Sequence, residues 1–339
     1  MRFLTPEQGN RNMFDENSDE SVLLKASNLT GYYRFHQNII HAVEGCDLNV
    51  RKGDTIALVG ESGCGKSTLG KMLMGYCLPP LDIISGSVII DEKSLYNLSI
   101  EERRRKIWGR LISRIPQYSM NSLNPVVKIK TIVMDFMKSK APRNSTKGVL
   151  DMAKHRFEEV GLSADVLEQY PFELSGGMKQ RVVVILSSLL NPKVLIADEP
   201  TTALDVTTQR RLIEFLRNFL EKEIIQSLVF ISHDIATLSQ ICKKFYIMYA
   251  GEIVECGDKK IILSEPLHPY TKLLLSTLPI IEKDRNFEME DIPGFPPDLN
   301  NPPAGCRFRE RCSFSTDSCN KKPSLVPREG RFVRCWLYE

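Results

Sequence analysis

Short runs of almost entirely apolar residues, separated by stretches with helical spacing, dominate the hydrophobic pattern of this chain. Such runs occupy residues 55–59, 194–197 and 228–231. A run of this length without polar alternation is typical of a strand buried on both faces, as in a parallel sheet covered by helices. Apolar residues recur at helical spacing over residues 131–160 and 182–190. The pattern therefore predicts an α/β fold built on a parallel sheet.

Further strand candidates lie on either side of these runs. They are residues 23–29, 40–50, 87–91, 111–115, 245–249 and 252–256. The first two predict a mostly antiparallel group that leads into the first buried strand. Ser99 and Glu102 have the spacing of a capping box, which predicts that a helix over residues 100–110 begins there.

Length, composition and charge fit a soluble globular protein. The chain has 339 residues, of which 42% are hydrophobic and 26% charged, which allows one large domain or two modest ones. Its net charge of +3 is too small to indicate nucleic acid or an anionic membrane as a partner. Residues 1–20 are polar and lack the pattern of a secretory signal, and the apolar stretch 182–197 is too interrupted to span a bilayer. We expect a flexible lead-in and a chain that can dock on a membrane protein.

The segment 60–67, with the sequence GESGCGKS, follows the first buried strand and precedes a helical stretch. Its glycines allow backbone N–H groups to turn inward around an anion, and the N-terminus of the following helix adds its dipole. Lys66 can reach the outer phosphates of a triphosphate, while the Ser67 hydroxyl can bind Mg²⁺. This spacing predicts a phosphate-binding loop.

Other polar residues follow predicted strands or begin predicted helices. Gln117 follows the strand 111–115, Asp198 and Glu199 end the strand 194–197, and His233 follows the strand 228–231. The carboxyl ends of parallel strands form the ligand-binding edge of a doubly wound sheet. In the segment 174–181, Ser175 can cap the next helix, and Gly176 and Gly177 leave backbone N–H groups free to face an anion.

Together these segments resemble an ATP-binding cassette domain over residues 23–257. The matching motifs are the Walker A loop at 60–67, the Q-loop glutamine Gln117, the signature motif at 174–181, the Walker B strand 194–198 with Glu199, the D-loop at 202–205 and the switch histidine His233. The resemblance implies a P-loop NTPase with a RecA-like core, an antiparallel β subdomain and a helical subdomain.

The resemblance also implies ATP hydrolysis and assigns a role to each residue. Lys66 would clamp the phosphates, Ser67 and Gln117 would bind Mg²⁺ directly, and Asp198 would hold it through its hydration shell. Glu199 would be the general base and His233 would contact the γ-phosphate. The residues implied to contact ATP in the same subunit are Tyr33, Gly60, Ser62, Gly63, Cys64, Gly65, Lys66, Ser67 and Thr68.

Members of this family work as head-to-tail dimers, so part of the site would come from a second subunit. Ser175, Gly176, Gly177 and Asp205 would contact the ATP held by a partner cassette. Because the chain has one cassette and no predicted membrane span, the second cassette and the membrane domains are expected to be separate polypeptides. The segment around Gln117 is expected to dock on a membrane subunit, with Met120 and Leu123 as exposed contacts.

The C-terminal region is similar to that of dipeptide/oligopeptide importer ATPases. The similarity covers the segments 266–274, 292–297 and 302–306. It implies that the chain takes part in solute uptake and lies on the cytoplasmic face of the cell membrane. The implied partners are a second cassette, more often a paralogue than a copy, two permease subunits and an extracytoplasmic solute-binding protein. Peptides and oligosaccharides both remain open as solutes. The alternative class is a soluble ATPase acting on ribosomes or nucleic acid, whose usual second cassette, coiled-coil insertion or zinc modules between motifs this chain lacks.

Four cysteines are crowded near the C-terminus: Cys306, Cys312, Cys319 and Cys335. In a nucleotide-binding chain without a secretory signal, a metal site is expected more than disulfides. Their spacings differ from the C-x-x-C pattern of structural zinc, but four thiolates suit zinc or iron–sulfur. Resemblance to the tails of some peptide-importer ATPases implies one 4Fe-4S cluster, with zinc as second choice.

These interpretations divide the chain into four parts. They are a lead-in (1–20), the ATPase cassette (21–258), a helical extension with a proline-rich linker (259–303) and a small cysteine-rich domain (304–339).

Overall fold

The computed structural model describes residues 22–117, 119–140, 146–202, 204–277 and 292–339, and the predicted lead-in lies outside them. The strands are β1 (Val22–Phe35), β2 (Asn38–Arg51), β3 (Thr55–Val59), β4 (Leu81–Ile90), β5 (Lys93–Ser94), β6 (Ile112–Ile115), β7 (Val194–Asp198), β8 (Ser227–Ile231), β9 (Lys244–Tyr249), β10 (Glu252–Asp258), β11 (Val326–Arg328) and β12 (Arg331–Val333). The helices are α1 (Lys66–Leu73), α2 (Ile100–Glu102), α3 (Ile129–Lys140), α4 (Thr146–Glu159), α5 (Gly176–Ser188), α6 (Val206–Glu221), α7 (Ile235–Ile241), α8 (Lys259–Ser264) and α9 (Pro269–Ser276).

The main sheet has the strand order β11-β12-β10-β9-β3-β8-β7-β6. The strands from β9 to β6 in this order pair in parallel, whereas β10, β11 and β12 are antiparallel additions. Strand β3 is buried on both faces, since Ile56 and Leu58 enter one hydrophobic core and Ala57 and Val59 the other. This confirms the α/β fold with a parallel core that the apolar runs predicted.

A second, antiparallel sheet has the order β2-β1-β4-β5. Strand β1 continues past the predicted residue 29 to Phe35, and Tyr32 and Tyr33 therefore lie within it. Register shifts interrupt its pairing with β2 and β4, which explains why simple alternation did not predict its full length.

The helical segment predicted over residues 131–160 forms α3 and α4, on either side of residues 141–145, which lie outside the described ranges. Val133 on α3, Phe157 on α4 and Val182 on α5 join the same buried cluster. The Ser99–Glu102 capping box forms as predicted, but the helix continues only as a π-helical turn, Arg103–Ile107, instead of reaching residue 110. Trp108 is extended, and its indole N–H donates to the Met74 carbonyl at 2.7 Å.

The cysteine-rich segment packs directly on the sheet of the cassette. Strand β12 pairs with β10, and the Arg334 N–H donates to the Val254 carbonyl at 2.8 Å. Within the described ranges, no helix is both long and apolar enough to span a bilayer.

Candidate functional site

The carboxyl ends of four adjacent parallel strands bring the predicted site residues to one edge of the sheet. The loop 60–67 follows β3, His233 follows β8, Asp198 and Glu199 lie at the end of β7, and Gln117 follows β6. Gln117 is exposed there. Segments distant in sequence are neighbours because parallel strands carry their loops to the same edge.

The loop 60–67 needs glycine at two positions where other backbone comes close. A Cβ on Gly65, whose φ is +102°, would lie 2.1 Å from the Ala42 carbonyl oxygen. A Cβ on Gly60 would lie 2.0 Å from the Met248 carbonyl oxygen. Any side chain at either position would displace the loop from the sheet. Helix α1 begins immediately after Gly65, so its N-terminus adds unpaired N–H groups to the cradle.

Lys66 and Thr68 lie on the first turn of α1. The Lys66 ammonium is buried and donates to the carbonyls of Gly60 (2.7 Å) and Glu61 (2.8 Å). The Thr68 hydroxyl pairs with the Tyr33 hydroxyl at 3.2 Å. Tyr33 therefore lies beside the first turn of α1.

Asp198 is fully buried at the end of β7 and has two partners. The Ser67 hydroxyl donates to its Oδ1 at 2.8 Å, and the Arg114 guanidinium, from β6, donates to its Oδ2. A serine hydroxyl beside an aspartate carboxylate, with Gln117 at the same edge, is the oxygen-rich donor set that Mg²⁺ prefers. The residues present therefore fit a bound magnesium ion.

Glu199 is held in a strained conformation next to His233. Its φ is +43°, a region that costs a residue other than glycine of the order of 1–3 kcal/mol. Its N–H donates to the Ile231 carbonyl (2.9 Å), its Oε2 accepts from the Thr202 hydroxyl (2.9 Å), and its Oε1 lies 3.4 Å from His233 Nδ1. The carboxylate is thus fixed at the strand edge while the imidazole beside it is exposed.

The signature and D-loop residues cap two neighbouring helices. Ser175 caps α5 by accepting from the Met178 N–H at 3.4 Å, and Asp205 caps α6 by accepting from the Thr208 N–H at 3.0 Å. Thr208 also faces Gly177, since a Cβ on that glycine would lie 3.6 Å from Thr208 Cγ2. Ser175, Gly176 and Asp205 are exposed, so these helix starts present an accessible surface.

All four C-terminal cysteines line a single cavity of about 140 Å³, together with Phe308 and Trp336. The Cys306 N–H donates to the Cys319 carbonyl at 2.9 Å, and burial raises the pKa of the Cys306 thiol to about 12. No group of three or more His, Cys, Asp or Glu residues in the described ranges is arranged to hold a metal ion. The four cysteines therefore converge on one cavity, as predicted, but the described residues do not show the metal site predicted there.

The prediction that Leu123 is an exposed contact is wrong. Its side chain is 7% exposed and joins the core cluster that includes Val182 of α5. The side chain of Met120 lies outside the described residues. Two other apolar residues are exposed instead. Val126, close to Leu123 in sequence, is 72% exposed, and Phe172, just before the signature motif, is 62% exposed.

Sequence reasoning missed Arg114, the bond between Thr202 and Glu199, and a link from the C-terminal segment to the loop 60–67. The only signal for Arg114 is a lone charge inside a short apolar strand. Arg311 bonds the carboxylate of Glu61, in the phosphate loop, across a separation of 250 residues, and no local pattern reports such a contact.

Comparisons with known proteins found similar sequences over most of the chain. The family "ABC transporter" matches residues 43–202, and "Oligopeptide/dipeptide transporter, C-terminal region" matches residues 254–319. The chain is 38% identical to the dipeptide transport ATP-binding protein DppD of Caldanaerobacter subterraneus, over 94% of this chain and 98% of that protein. It is 39% identical to the oligopeptide transport ATP-binding protein AppD of Bacillus subtilis, again over 94% and 98%.

A solved structure shares the fold. The dimeric ATP-binding cassette MJ0796, bound to ADP and Pi in a post-hydrolysis state, is similar with a TM-score of 0.61 at 24% identity, covering 69% of this chain and 98% of that one. This likeness supports the cassette fold predicted from the motifs.

Proposed function

The chain belongs to the ATP-binding cassette family, in its group of dipeptide and oligopeptide transport ATP-binding proteins, and from that premise we propose how its residues power peptide uptake. The chain is the ATP-hydrolysing subunit of a dipeptide/oligopeptide importer. One observation supports the roles proposed for these residues: the loop 60–67, Asp198, Glu199, Gln117 and His233 all lie at one edge of the sheet.

ATP binding is the work of the loop 60–67 and of α1. The backbone N–H groups of Ser62, Gly63, Cys64 and Gly65 surround the phosphates, and Lys66 moves from the loop carbonyls to the outer phosphate oxygens. The support is that the lysine ammonium already lies within the loop, at 2.7 Å from Gly60 O. Thr68 and Tyr33 complete the contacts, with the tyrosine ring beside the base.

Hydrolysis depends on residues that hold Mg²⁺ and orient water. Ser67, Gln117 and Asp198 would hold the ion, and Arg114 fixes the Asp198 carboxylate in place by donating to its second oxygen. The ion supplies charge neutralisation on the phosphates. Glu199 accepts the proton of the attacking water, and His233, next to it at 3.4 Å, contacts the γ-phosphate.

The helix starts at Ser175, Gly176, Gly177 and Asp205 complete the site of a second cassette. Support comes from the exposure of Ser175, Gly176 and Asp205 and from the dimeric state of the structurally similar MJ0796 cassette. The second cassette is a paralogue, the membrane path is formed by two permease subunits, and an extracytoplasmic binding protein delivers the solute. The chain then sits peripherally on the cytoplasmic face of the membrane.

The solute we propose is a peptide, because the similar transport proteins are named for dipeptides and oligopeptides. Oligosaccharide remains an outcome of the transport test. The proposed division of the chain stays as predicted, with the cassette at 21–258, the extension at 259–303 and the cysteine-rich unit at 304–339.

Cys306, Cys312, Cys319 and Cys335 hold one 4Fe-4S cluster. The support for this proposal is that the four thiols line one cavity. Four cysteine thiolates are the usual protein ligands of such a cluster. It would link the short strands β11 and β12 to the 3₁₀ turns that carry Cys312 and Cys319, a structural role.

Anaerobic purification followed by iron and sulfide analysis tests the cluster. We expect about four irons and four sulfides per chain, lost in Cys312→Ser but retained in Cys77→Ser, which lies outside the cavity. Stoichiometric zinc without sulfide, or a colourless protein without metal, would refute it.

Affinity purification tests the function against the ribosome-bound alternative. We expect the full chain to co-purify with membrane subunits and a second cassette, and the complex to hydrolyse ATP faster with peptide and its binding protein. Stable association with ribosomes and no membrane partner would contradict the proposal.

A further inference from the structure

The C-terminal segment reaches back to the phosphate loop through one buried arginine. Arg311 Nη1 lies 2.8 Å from one carboxylate oxygen of Glu61 and its Nη2 lies 3.0 Å from the other. Glu61 is the second residue of the loop 60–67, and Arg311 directly precedes Cys312. Two parallel bonds to one carboxylate fix position and direction as well as charge.

The arginine is itself held in place from several sides. Its side chain is 6% exposed, its Nε donates to the Pro293 carbonyl at 2.7 Å, and its guanidinium lies 5.7 Å from the ring centre of Tyr249 and 5.9 Å from that of Phe308. The rotamer entropy of a long side chain has therefore already been lost in the fold, so little opposes the contact with Glu61.

Glu61 is gripped by its backbone as well as by its side chain. Its N–H donates to the Tyr270 hydroxyl at 2.9 Å, and its carbonyl accepts from Lys66 Nζ at 2.8 Å. Tyr270 is buried and lies on α9, outside the parallel core. A shift of Glu61 would thus move the carbonyl that accepts a hydrogen bond from Lys66.

The charge of Glu61 makes the arginine necessary. A carboxylate in a loop that binds a polyanion opposes binding unless a cation neutralises it. Arg311 supplies that cation from a segment that the ATP-hydrolysing machinery does not otherwise use. A second arginine of this segment, Arg307, donates to the Ala250 carbonyl. The adjacent Gly251 N–H donates to the Cys64 carbonyl at 2.8 Å, so the segment also contacts the loop 60–67 indirectly through residues 250 and 251.

We propose that Arg311 is a positioning residue for the ATP phosphates, which acts by neutralising and fixing Glu61, so that nucleotide affinity depends on the cysteine-rich segment. The proposal rests on the loop 60–67 being the ATP site of the proposed function. It does not require that the cysteines hold a cluster.

Equilibrium binding of a fluorescent N-methylanthraniloyl ATP to the full chain tests it. We expect Arg311→Gln to raise Kd about tenfold, equivalent to about 1.4 kcal/mol. Glu61→Gln combined with Arg311→Gln should return Kd to within about threefold of the wild type, because the uncompensated charge is gone. Arg309→Gln is the matched control, since Arg309 bonds Asn320 and not the loop, and should leave Kd unchanged.

A second readout separates positioning from general damage. In the assembled transporter, Arg311→Gln should raise KM for ATP about as much as Kd, with kcat at saturating ATP kept within about twofold. Unfolding of the variants without nucleotide is followed in parallel. If Arg311→Gln does not fold, Arg311→Lys, which keeps the charge but not the paired geometry, should raise Kd about threefold, and an unchanged Kd in this variant would overturn the role of Arg311.

The results separate this proposal from the proposed function. Unchanged Kd in folded Arg311→Gln, or a raised Kd that the added Glu61→Gln does not lower, would overturn the role of Arg311 alone. A loss of kcat without a change in Kd would also overturn it. A wild-type chain that binds no ATP would instead refute the ATP site itself.

Discussion

Substitution of Glu199 by Gln changes one atom of the carboxylate and very little else. The amide oxygen can still accept from the Thr202 hydroxyl, and the amide N–H₂ can donate to His233 Nδ1, so both contacts of the native side chain have a replacement. The strained φ of +43° is a property of the backbone and is retained. We therefore expect the variant to fold and to bind MgATP with wild-type affinity.

The rate should fall because an amide cannot accept the proton of the attacking water. A positioned general base contributes roughly 10²–10⁴-fold to a rate. We expect at least the lower limit, about 10²-fold, which corresponds to about 2.7 kcal/mol of activation free energy. The larger values are expected if the assembled dimer excludes water from the site.

Phosphate release from the assembled complex at saturating ATP measures the effect, and nucleotide binding is measured on the same preparation. Glu214→Gln is the matched control, because Glu214 lies exposed on α6, where it pairs with Arg210. Hydrolysis by Glu199→Gln at the wild-type rate would refute the assignment of the general base. A weakened MgATP affinity would refute the claim that the substitution preserves the site.

Three further predictions concern binding and stability. Lys66→Ala should weaken ATP binding itself by at least about tenfold in an equilibrium assay, because it removes a contact made in the ground state; unchanged Kd would contradict this. Leu123→Asp should lower the free energy of unfolding by at least about 3 kcal/mol in urea denaturation, whereas exposed Val126→Asp should change it by less than about 0.5 kcal/mol; equal effects would contradict the burial of Leu123. Burial lowers the pKa of His268 from 6.5 to about 3, so stability from the neutral ring is complete above pH 6.5 and is lost towards pH 3. His268→Asn, which keeps an acceptor for the Tyr270 N–H, should reduce the loss of stability between about pH 7 and about pH 5 by up to about 1.4 kcal/mol per pH unit; an unchanged slope in urea titrations would contradict this.

The parallel core was predictable because burial on both faces leaves an uninterrupted apolar run. Strand β3 shows this, since all five of its residues are buried. The positions of Asp198 and His233 followed from the rule that parallel strands carry their loops to one edge. For these residues, the local sequence pattern and the position in the folded protein agree.

The errors arise where tertiary packing overrides the local pattern. Leu123 lies among Asn, Ser and Pro, which indicate an exposed turn, yet the core beside α5 buries it. Arg114 differs from a surface arginine only through its partner Asp198, which lies on a neighbouring strand. The bond between Arg311 and Glu61 joins residues separated by 250 positions, so only the fold brings them together.

Transport by the reconstituted complex tests the central claim, that this chain hydrolyses ATP to drive peptide uptake. Proteoliposomes would contain the full chain with its partner cassette and permeases, with ATP on the cassette side and the binding protein on the other, and would be offered a labelled oligopeptide or a labelled oligosaccharide. We predict accumulation of the peptide that requires ATP and is lost in Glu199→Gln. Accumulation of the oligosaccharide instead, or peptide uptake that continues without ATP, would contradict the account.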